Sequence, residues 1–281
     1  FSKGNKMKIA YFGNDWHIGC LETFKNNGHS IGHIFINSEQ PFNQVIRQYA
    51  IDNQIPMTIT KPDYKSIESL LQQGIDCLFS IEYAWLIPIP ENLSDVFTMN
   101  VHPSMLPYGR GTTPVSWIIN SQAQYAGVTF HKLTNEFDSG DVIYQKPLSL
   151  AQDESFETLM VKLHLTIPQL LNEVLSDFDR LYHQAKKQGT GSTWPKIDIN
   201  DRVINWNMTT NQIKALSAAC GRFGIVARLN NETLLVNNIE LGQINHQYPN
   251  GTIIKEDDDT YVIAVSDGFV ILMKRNIIER I

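Results

Sequence analysis

Phe97-Thr98-Met99-Asn100-Val101-His102-Pro103-Ser104-Met105-Leu106-Pro107 is the stretch on which the reading of this chain turns. Its apolar start runs straight into Asn100, so the amide and the His102 imidazole fall where a buried strand ends. Further along, Phe137-Asp138-Ser139-Gly140-Asp141 sets a carboxylate in a glycine-bearing turn. An amide, an imidazole and a carboxylate together can polarise a carbonyl, shuttle a proton and hold the base in its working tautomer. In open α/β sheets ligands bind at the carboxyl ends of the strands. The plain alternative is that Asn100 and His102 satisfy backbone groups at a strand end while Asp138 caps a turn.

Working outward, residues 8–12 read as a buried strand that ends in Gly13-Asn14-Asp15. A helix over 17–27 follows, with Gly28 at its C-cap position. Then come a strand at 30–36, a helix at 41–53 with Pro41 near its start, and a short strand at 57–60. A helix at 63–72 and strands at 76–81 and 96–101 complete the series. This alternation predicts an α/β fold with a Rossmann-like, mostly parallel sheet covered on both faces. Residues 128–133 and 142–145 look like neighbouring strands that flank the Asp138 loop. Leu159, Leu163, Leu170, Leu171, Val174 and Leu175 form the apolar stripe of a helix over 155–185, which Pro168 is expected to kink.

The polar run Lys186-Lys187-Gln188-Gly189-Thr190-Gly191-Ser192-Thr193 marks a domain boundary. The predicted organisation is a catalytic domain at 7–185, a linker at 186–200 and a small OB-like β-barrel at 201–281. In the last segment a helix at 209–219, capped by Thr209 or Thr210, precedes five short strands at 225–229, 233–238, 252–254, 261–265 and 269–273. Asn230-Asn231, Asn250-Gly251 and Asp267-Gly268 supply turns between them.

The 281 residues suffice for one large domain or two modest ones. A hydrophobic share of 42% and a charged share of 19% are those of an ordinary soluble globular protein. No apolar run approaches the roughly 18–20 residues of a membrane helix, and the first residues lack the apolar stretch of a signal peptide. Phe1–Lys6 precedes the first strand pattern. Cys20, Cys77 and Cys220 are too scattered for a disulfide framework or a Cys-x-x-Cys metal pair, which suits a reducing cytoplasm. The net charge of −6 and the absence of any basic cluster beyond two adjacent pairs argue against a nucleic-acid surface. The eight histidines are scattered and form no metal constellation.

The stretch from Asn100 to Asp141, with Tyr108-Gly109-Arg110-Gly111 and Gly127-Val128-Thr129 inside it, resembles the folate-dependent formyltransferases. These transfer a formyl group from 10-formyltetrahydrofolate to an amine. The resemblance covers about residues 7–275, strongly over 95–145 and diffusely after 200. It implies that Asn100, His102 and Asp138 are catalytic, with the amide on the oxyanion, the imidazole relaying the amine proton and the carboxylate orienting it or receiving that proton. It also implies that the pterin lies after the fourth strand, against Leu86 and the backbone of Tyr83, Ala84 and Trp85, with Ser139, Gly140 and Asp141 closing the other side. The competing reading of that stretch is a set of core aromatics.

Gly13, Asn14, Asp15, Trp16 and His17 form a strand-to-helix loop whose exposed N–H groups and helix dipole favour an anion. In the resembling enzymes this region faces the acceptor. It is neither a Gly-x-Gly-x-x-Gly nor a Walker loop, so no dinucleotide is expected. Trp16 would stack on a base or sugar, or else pack in the core. Arg110 either meets substrate phosphate or fixes its own loop. Ser104 is grouped with the substrate-facing residues; lacking a Gly-x-Ser-x-Gly elbow, it is not read as a nucleophile. His131, on an alternating strand, reads as an ordinary half-buried histidine.

Enzymes with this domain order include those acting on initiator methionyl-tRNA and those acting on nucleotide-linked amino sugars. The tRNA-acting enzymes carry a basic, glycine-rich insertion after the second strand. Here that place reads Asn37-Ser38-Glu39-Gln40-Pro41-Phe42-Asn43-Gln44, with no Lys or Arg before Arg47. A phosphate-rich partner needs many cationic contacts. The expected acceptor is therefore a small amine on a dTDP- or UDP-linked deoxysugar. A tRNA acceptor, a formyl-folate hydrolase and a hydroxyornithine-type acceptor are the alternatives. A homodimer is expected by analogy alone.

Overall fold

The structure, a computed structural model, describes residues 6–37, 42–91, 93, 95–230 and 232–281. The expected helix start at Pro41, half of the 37–44 segment and the turn residue Asn231 lie outside the described residues. The chain divides into two compact units. One comprises Phe1–Thr112, Tyr125–Ser149 and Val161–Trp194; the other comprises Thr113–Gln124, Leu150–Met160 and Pro195–Ile281.

Asn100 and His102 belong to a sheet that, among the described residues, has seven strands. These are β1 (Lys8–Phe12), β2 (Ser30–Phe35), β3 (Met57–Thr58), β4 (Cys77–Ile81), β5 (Phe97–His102), β6 (Gly127–His131) and β7 (Val142–Pro147), in the order β3-β2-β1-β4-β5-β6-β7. The first five run parallel, and β6 and β7 join antiparallel. Every residue of β4 and β6 is buried, as strands covered on both faces must be. The expected mostly parallel α/β sheet is present.

Between the parallel strands run α1 (Gly19–Asn26), α2 (Gln44–Asp52) and α3 (Tyr64–Gln72). Phe24 of α1 packs edge-on against Phe79 with ring centroids 4.9 Å apart. Ile67 and Leu70 of α3 join Phe12, Phe35 and Leu78 in a buried cluster. A capping box of Asp63 and Ser66 starts α3 where the sequence reading put it. The first helix begins later than expected, because Asn14 caps a single 3-10 turn over Asp15–His17 before α1. Its far end is as read, with Gly28 at φ +82°.

A seven-residue helix, α4 (Pro114–Asn120), was not anticipated and opens with proline in its first turn. The long helical stretch becomes α5 (Phe156–Ser176) and α6 (Phe178–His183). Helix α5 runs on through Pro168, and the break falls at Asp177, whose φ of −139° is not helical.

The second unit holds α7 (Thr210–Cys220), whose capping box uses Thr209 and Gln212. Two antiparallel sheets accompany it. One pairs β8 (Ile225–Leu229), β9 (Glu232–Val236) and β14 (Ile277–Arg280); the other contains β10 (Glu240–Gln243), β11 (Ile253–Glu256), β12 (Thr260–Val265) and β13 (Gly268–Met273). Ile213 and Leu216 of α7 share a core with Leu234, Ile263 and Leu272. The five expected strands are there. Strands β10 and β14 are additions, each a four-residue edge strand with mostly exposed or half-buried positions and thus little apolar alternation to read.

The Asp138 turn is built against the backbone just after β6. A Cβ on Gly140 would sit 1.9 Å from the Lys132 carbonyl oxygen, a backbone atom that has no rotamer to yield. Gly140→Ala is therefore expected to lose roughly 1–3 kcal/mol of stability, read as a lower urea midpoint. An unchanged midpoint would show that the turn is free to move.

Candidate active site

The β5–β6 register sets Asn100 opposite His131 and His102 opposite Thr129. Asn100 Nδ2 lies 3.0 Å from His131 Nε2 and 3.5 Å from Asp138 Oδ1. His102 Nδ1 lies 3.4 Å from the same Oδ1, and His131 Nε2 3.7 Å from it. Asp138 Oδ2 accepts from the Gly111 amide at 2.9 Å. The structure thus gathers Asn100, His102 and Asp138 around one carboxylate oxygen. It adds His131, which the sequence reading treated as ordinary. Only the antiparallel pairing of the strands ending at His102 and starting at Gly127 could have revealed it.

These contacts assign the ring tautomers. His131 Nδ1 faces the Lys132 carbonyl at 2.8 Å, so the hydrogen sits on Nδ1 and Nε2 accepts from the Asn100 amide. That fixes which end of the Asn100 side chain is the NH2, and its second hydrogen points towards Asp138. His102 Nε2 lies 2.7 Å from the Gly109 carbonyl and must donate to it. In the neutral ring Nδ1 is then bare and faces the carboxylate. This nitrogen is set to take up a proton, and Asp138 is placed to stabilise the resulting imidazolium.

Burial lowers the His102 pKa, against an upward pull from Asp138 and the Gly109 carbonyl, so the ring is neutral near pH 7. Burial works to raise the Asp138 carboxyl, but the neighbouring His102 and the Gly111 amide act against it, and the carboxyl lies below the usual carboxylate range. Glu82, just after β4, is a second carboxyl that the sequence reading passed over. It has φ +51°, its carbonyl accepts from Asn14 Nδ2 at 3.2 Å, and loss of water followed by the Asp138 charge pushes it up to about 7.

The loop carrying these groups is pinned from several sides. Thr129 Oγ1 donates to the Ser104 carbonyl at 2.6 Å and accepts from the Leu106 amide at 3.1 Å. Gln145 Nε2 donates to the Leu106 carbonyl at 2.6 Å. Ser104, expected near substrate, is fully buried and donates to the Tyr108 carbonyl at 2.7 Å, so its role here is to shape the loop. Arg110 is held by Gln188 Oε1, at 3.0 Å from Nε and 2.8 Å from Nη2, which is the loop-fixing alternative.

The amides of the Gly13–His17 loop are used within the protein. Gly13 N bonds the Phe35 carbonyl at 3.1 Å, Asp15 N the Phe42 carbonyl at 2.9 Å, and Trp16 N the Asn14 side chain at 3.0 Å. Asp15 accepts from the Ile46 amide at 2.8 Å, Trp16 packs edge-on against Phe42, and His17 is buried. The expected anion cradle therefore lacks three of its amides. After β4 the picture differs. Among the described residues the main chain of Ala84, Trp85 and Leu86 takes part in no hydrogen bond, while Tyr83 and Trp85 pack edge-on beside it. On the other side Ser139 Oγ bonds Thr134 Oγ1 at 2.7 Å, Gly140 abuts Lys132, and the Asp141 carbonyl accepts from Lys132 N at 2.9 Å. No group of His, Cys, Asp and Glu able to hold a metal occurs among the described residues, and no helix among them is long and apolar enough to cross a membrane.

Residues 7–175 match the formyl transferase family, and residues 196–277 match the C-terminal domain of formyl transferases. This chain belongs to that family. Among its relatives, a methionyl-tRNA formyltransferase of Bacteroides fragilis is 24% identical over 290 residues, covering 95% of this chain and 90% of that protein. Two solved structures share the fold. An N-formyltransferase from Helicobacter canadensis in complex with folinic acid and dTDP-3-aminofucose has a TM-score of 0.70 at 20% identity, covering 95% of this chain and 98% of that one. HypX from Aquifex aeolicus in complex with tetrahydrofolic acid has a TM-score of 0.65 at 16% identity; it matches 95% of this chain, which spans only 44% of that protein.

Two predictions follow from the geometry of this formyl transferase. His131→Leu removes the acceptor that orients the Asn100 amide, and formyl transfer is expected to fall about 10- to 100-fold; a rate within twofold of the parent would make His131 a bystander. Burial, and then His164, bring His17 down to about 3. With His17 and His102 both lowered in the folded state, the unfolded chain binds more protons between pH 6.5 and 3. Stability is then complete above about pH 6.5 and declines as pH falls towards 3. Tm measured from pH 7 to pH 4 should drop, and drop less steeply in His17→Gln; parallel slopes would contradict this.

Proposed function

We propose that this protein moves the formyl group of 10-formyltetrahydrofolate to the amine of a nucleotide-linked amino sugar, dTDP- or UDP-linked, with Asn100, His102 and Asp138 as the catalytic groups. The observation that carries this reading is the convergence of His102 Nδ1 and Asn100 Nδ2 on Asp138 Oδ1, at 3.4 Å and 3.5 Å. As the amine attacks the formyl carbon a C–N bond forms and charge moves to the formyl oxygen. The Asn100 hydrogen that reaches towards Asp138 turns to that oxygen. His102 Nδ1 takes the amine proton, and Asp138 stabilises the imidazolium. The same proton passes to the folate nitrogen as its bond to the formyl carbon breaks, leaving tetrahydrofolate and a formamide.

The free main-chain groups of Ala84, Trp85 and Leu86 support a pterin there, because a flat ring edged with donors and acceptors is held well by backbone beside an apolar wall. Folates are bound in the A. aeolicus and H. canadensis structures, which supports a folate as the co-substrate. For the acceptor, the net charge of −6 and the lack of Lys or Arg over residues 37–46 favour a small molecule over a nucleic acid. The H. canadensis enzyme, in complex with dTDP-3-aminofucose and matched over almost its whole length, agrees. A second reading, transfer to initiator methionyl-tRNA, draws on the full-length B. fragilis relative.

The test is formyl transfer to a panel of dTDP- and UDP-linked amino sugars, with charged initiator tRNA alongside. Tetrahydrofolate release with a formylated sugar is the expected result; formylation of the tRNA alone would overturn the choice of acceptor. Asn100→Ala, His102→Ala and Asp138→Ala should each lower turnover by about 100-fold or more with the fold intact. Any one that keeps normal turnover leaves the catalytic set.

A further inference from the structure

Residues 186–194, read from sequence as the start of a linker, are bound along their length within the first unit. Lys186 and Val142 exchange both backbone hydrogen bonds, at 2.7 Å and 2.9 Å. The Ser192 carbonyl accepts from the amides of Gly109 and Arg110, at 3.1 Å and 3.0 Å, and Trp194 N donates to the Arg110 carbonyl at 2.8 Å. The Trp194 ring fills the space where a Cβ on Gly109 would stand. This segment is a strap laid over the loop whose Gly109 carbonyl holds His102 and whose Gly111 amide holds Asp138.

Gln188 lies at the centre of the strap. Its Nε2 donates to the carbonyls of Asp138 and Gly140, both at 2.8 Å. Its Oε1 accepts from Arg110 Nε and Nη2, at 3.0 Å and 2.8 Å. A primary amide has two hydrogens and two lone pairs, and all four are engaged. One side chain thus ties the Arg110 loop to the Asp138 loop. Asp138 needs such a tie, because its φ of +54° is a backbone state that a residue with a Cβ holds only when its surroundings impose it.

We propose that Gln188 is a positioning residue for the transfer reaction: its amide locks the Asp138 peptide in the left-handed conformation and so sets Oδ1 against His102 Nδ1. The proposal rests on the reading of His102 and Asp138 as catalytic groups. Without the clamp the Asp138 peptide relaxes, Oδ1 draws away from the ring, and His102 loses the charge that holds up its basicity.

The test uses Gln188→Ala and Gln188→Glu in the full-length chain. Glutamate keeps the size and the acceptor for Arg110 but replaces the donor by a carboxylate that faces two carbonyls. Both variants should lose kcat by about 10- to 100-fold, the cost of a misplaced catalytic group, with KM for 10-formyltetrahydrofolate within threefold. The acid limb of the kcat/KM profile should move to lower pH, since His102 without Asp138 beside it is less basic. Asp138→Ala, run in parallel, separates the two claims. Normal turnover in Asp138→Ala removes the underlying catalytic reading. A dead Asp138→Ala beside Gln188→Glu with kcat within twofold of the parent, or with an unmoved acid limb, overturns the role of Gln188. If Gln188→Ala fails to fold, Gln188→Glu decides alone.

Discussion

A carboxylate taken out of water needs hydrogen-bond donors around it, and the Asp138 carboxylate has a deliberate shortfall on one side. Oδ2 is satisfied by the Gly111 amide, whereas Oδ1 faces a long contact to Asn100 and the unprotonated edge of His102. Two acceptors at 3.4 Å repel each other unless a proton lies between them. The site is therefore arranged to welcome a proton at His102 Nδ1 while burial keeps the resting ring neutral. That tension between burial and the nearby charge is the chemical content of the site. The loops, the strap and the β6 register serve to maintain it.

The sheet explains how side chains so distant in sequence meet. Strand β5 is the last of the parallel series, and β6 returns antiparallel along it, so a register pair sets Asn100 beside His131. The segments that follow the two strands then meet beside them, with the Gly109 carbonyl on His102 and the Gly111 amide on the Asp138 carboxylate. Glu82 arrives from the parallel neighbour β4, whose Ser80 pairs with Asn100. Its carboxyl is pushed up to about 7 by lost hydration and by Asp138, whereas burial moves His102 the other way.

Much of this was legible in the sequence. Alternating apolar runs and punctuating glycines located the parallel strands, and the helices read from Asp63 and Thr209 start where those residues cap them. Asn100, His102 and Asp138 stood out by residue type and context, and the chain folds them together. The misses have physical causes. His131 was passed over because strand register is a tertiary property that a strand's own residues do not encode. Gln188 was read as linker because a polar, glycine-rich run looks the same whether it is solvated or laid across a loop. Arg110 and Ser104 carry groups that suit a ligand, but the loop uses those groups on itself. The anion cradle at Gly13–His17 was inferred from a strand-to-helix turn, and a 3-10 turn stands there with its Gly13 and Asp15 amides bonded to Phe35 and Phe42.

The Gly109 carbonyl holds the hydrogen on His102 Nε2 and leaves Nδ1 to receive the proton beside Asp138. Long-range nitrogen–proton NMR of histidine-labelled protein at pH 7, with His102 assigned by its absence in a His102→Gln sample, reads the tautomer directly. The expected result is a neutral ring protonated at Nε2 that becomes imidazolium only below pH 6.5. A ring protonated at Nδ1, or one fully charged at pH 7, would contradict it.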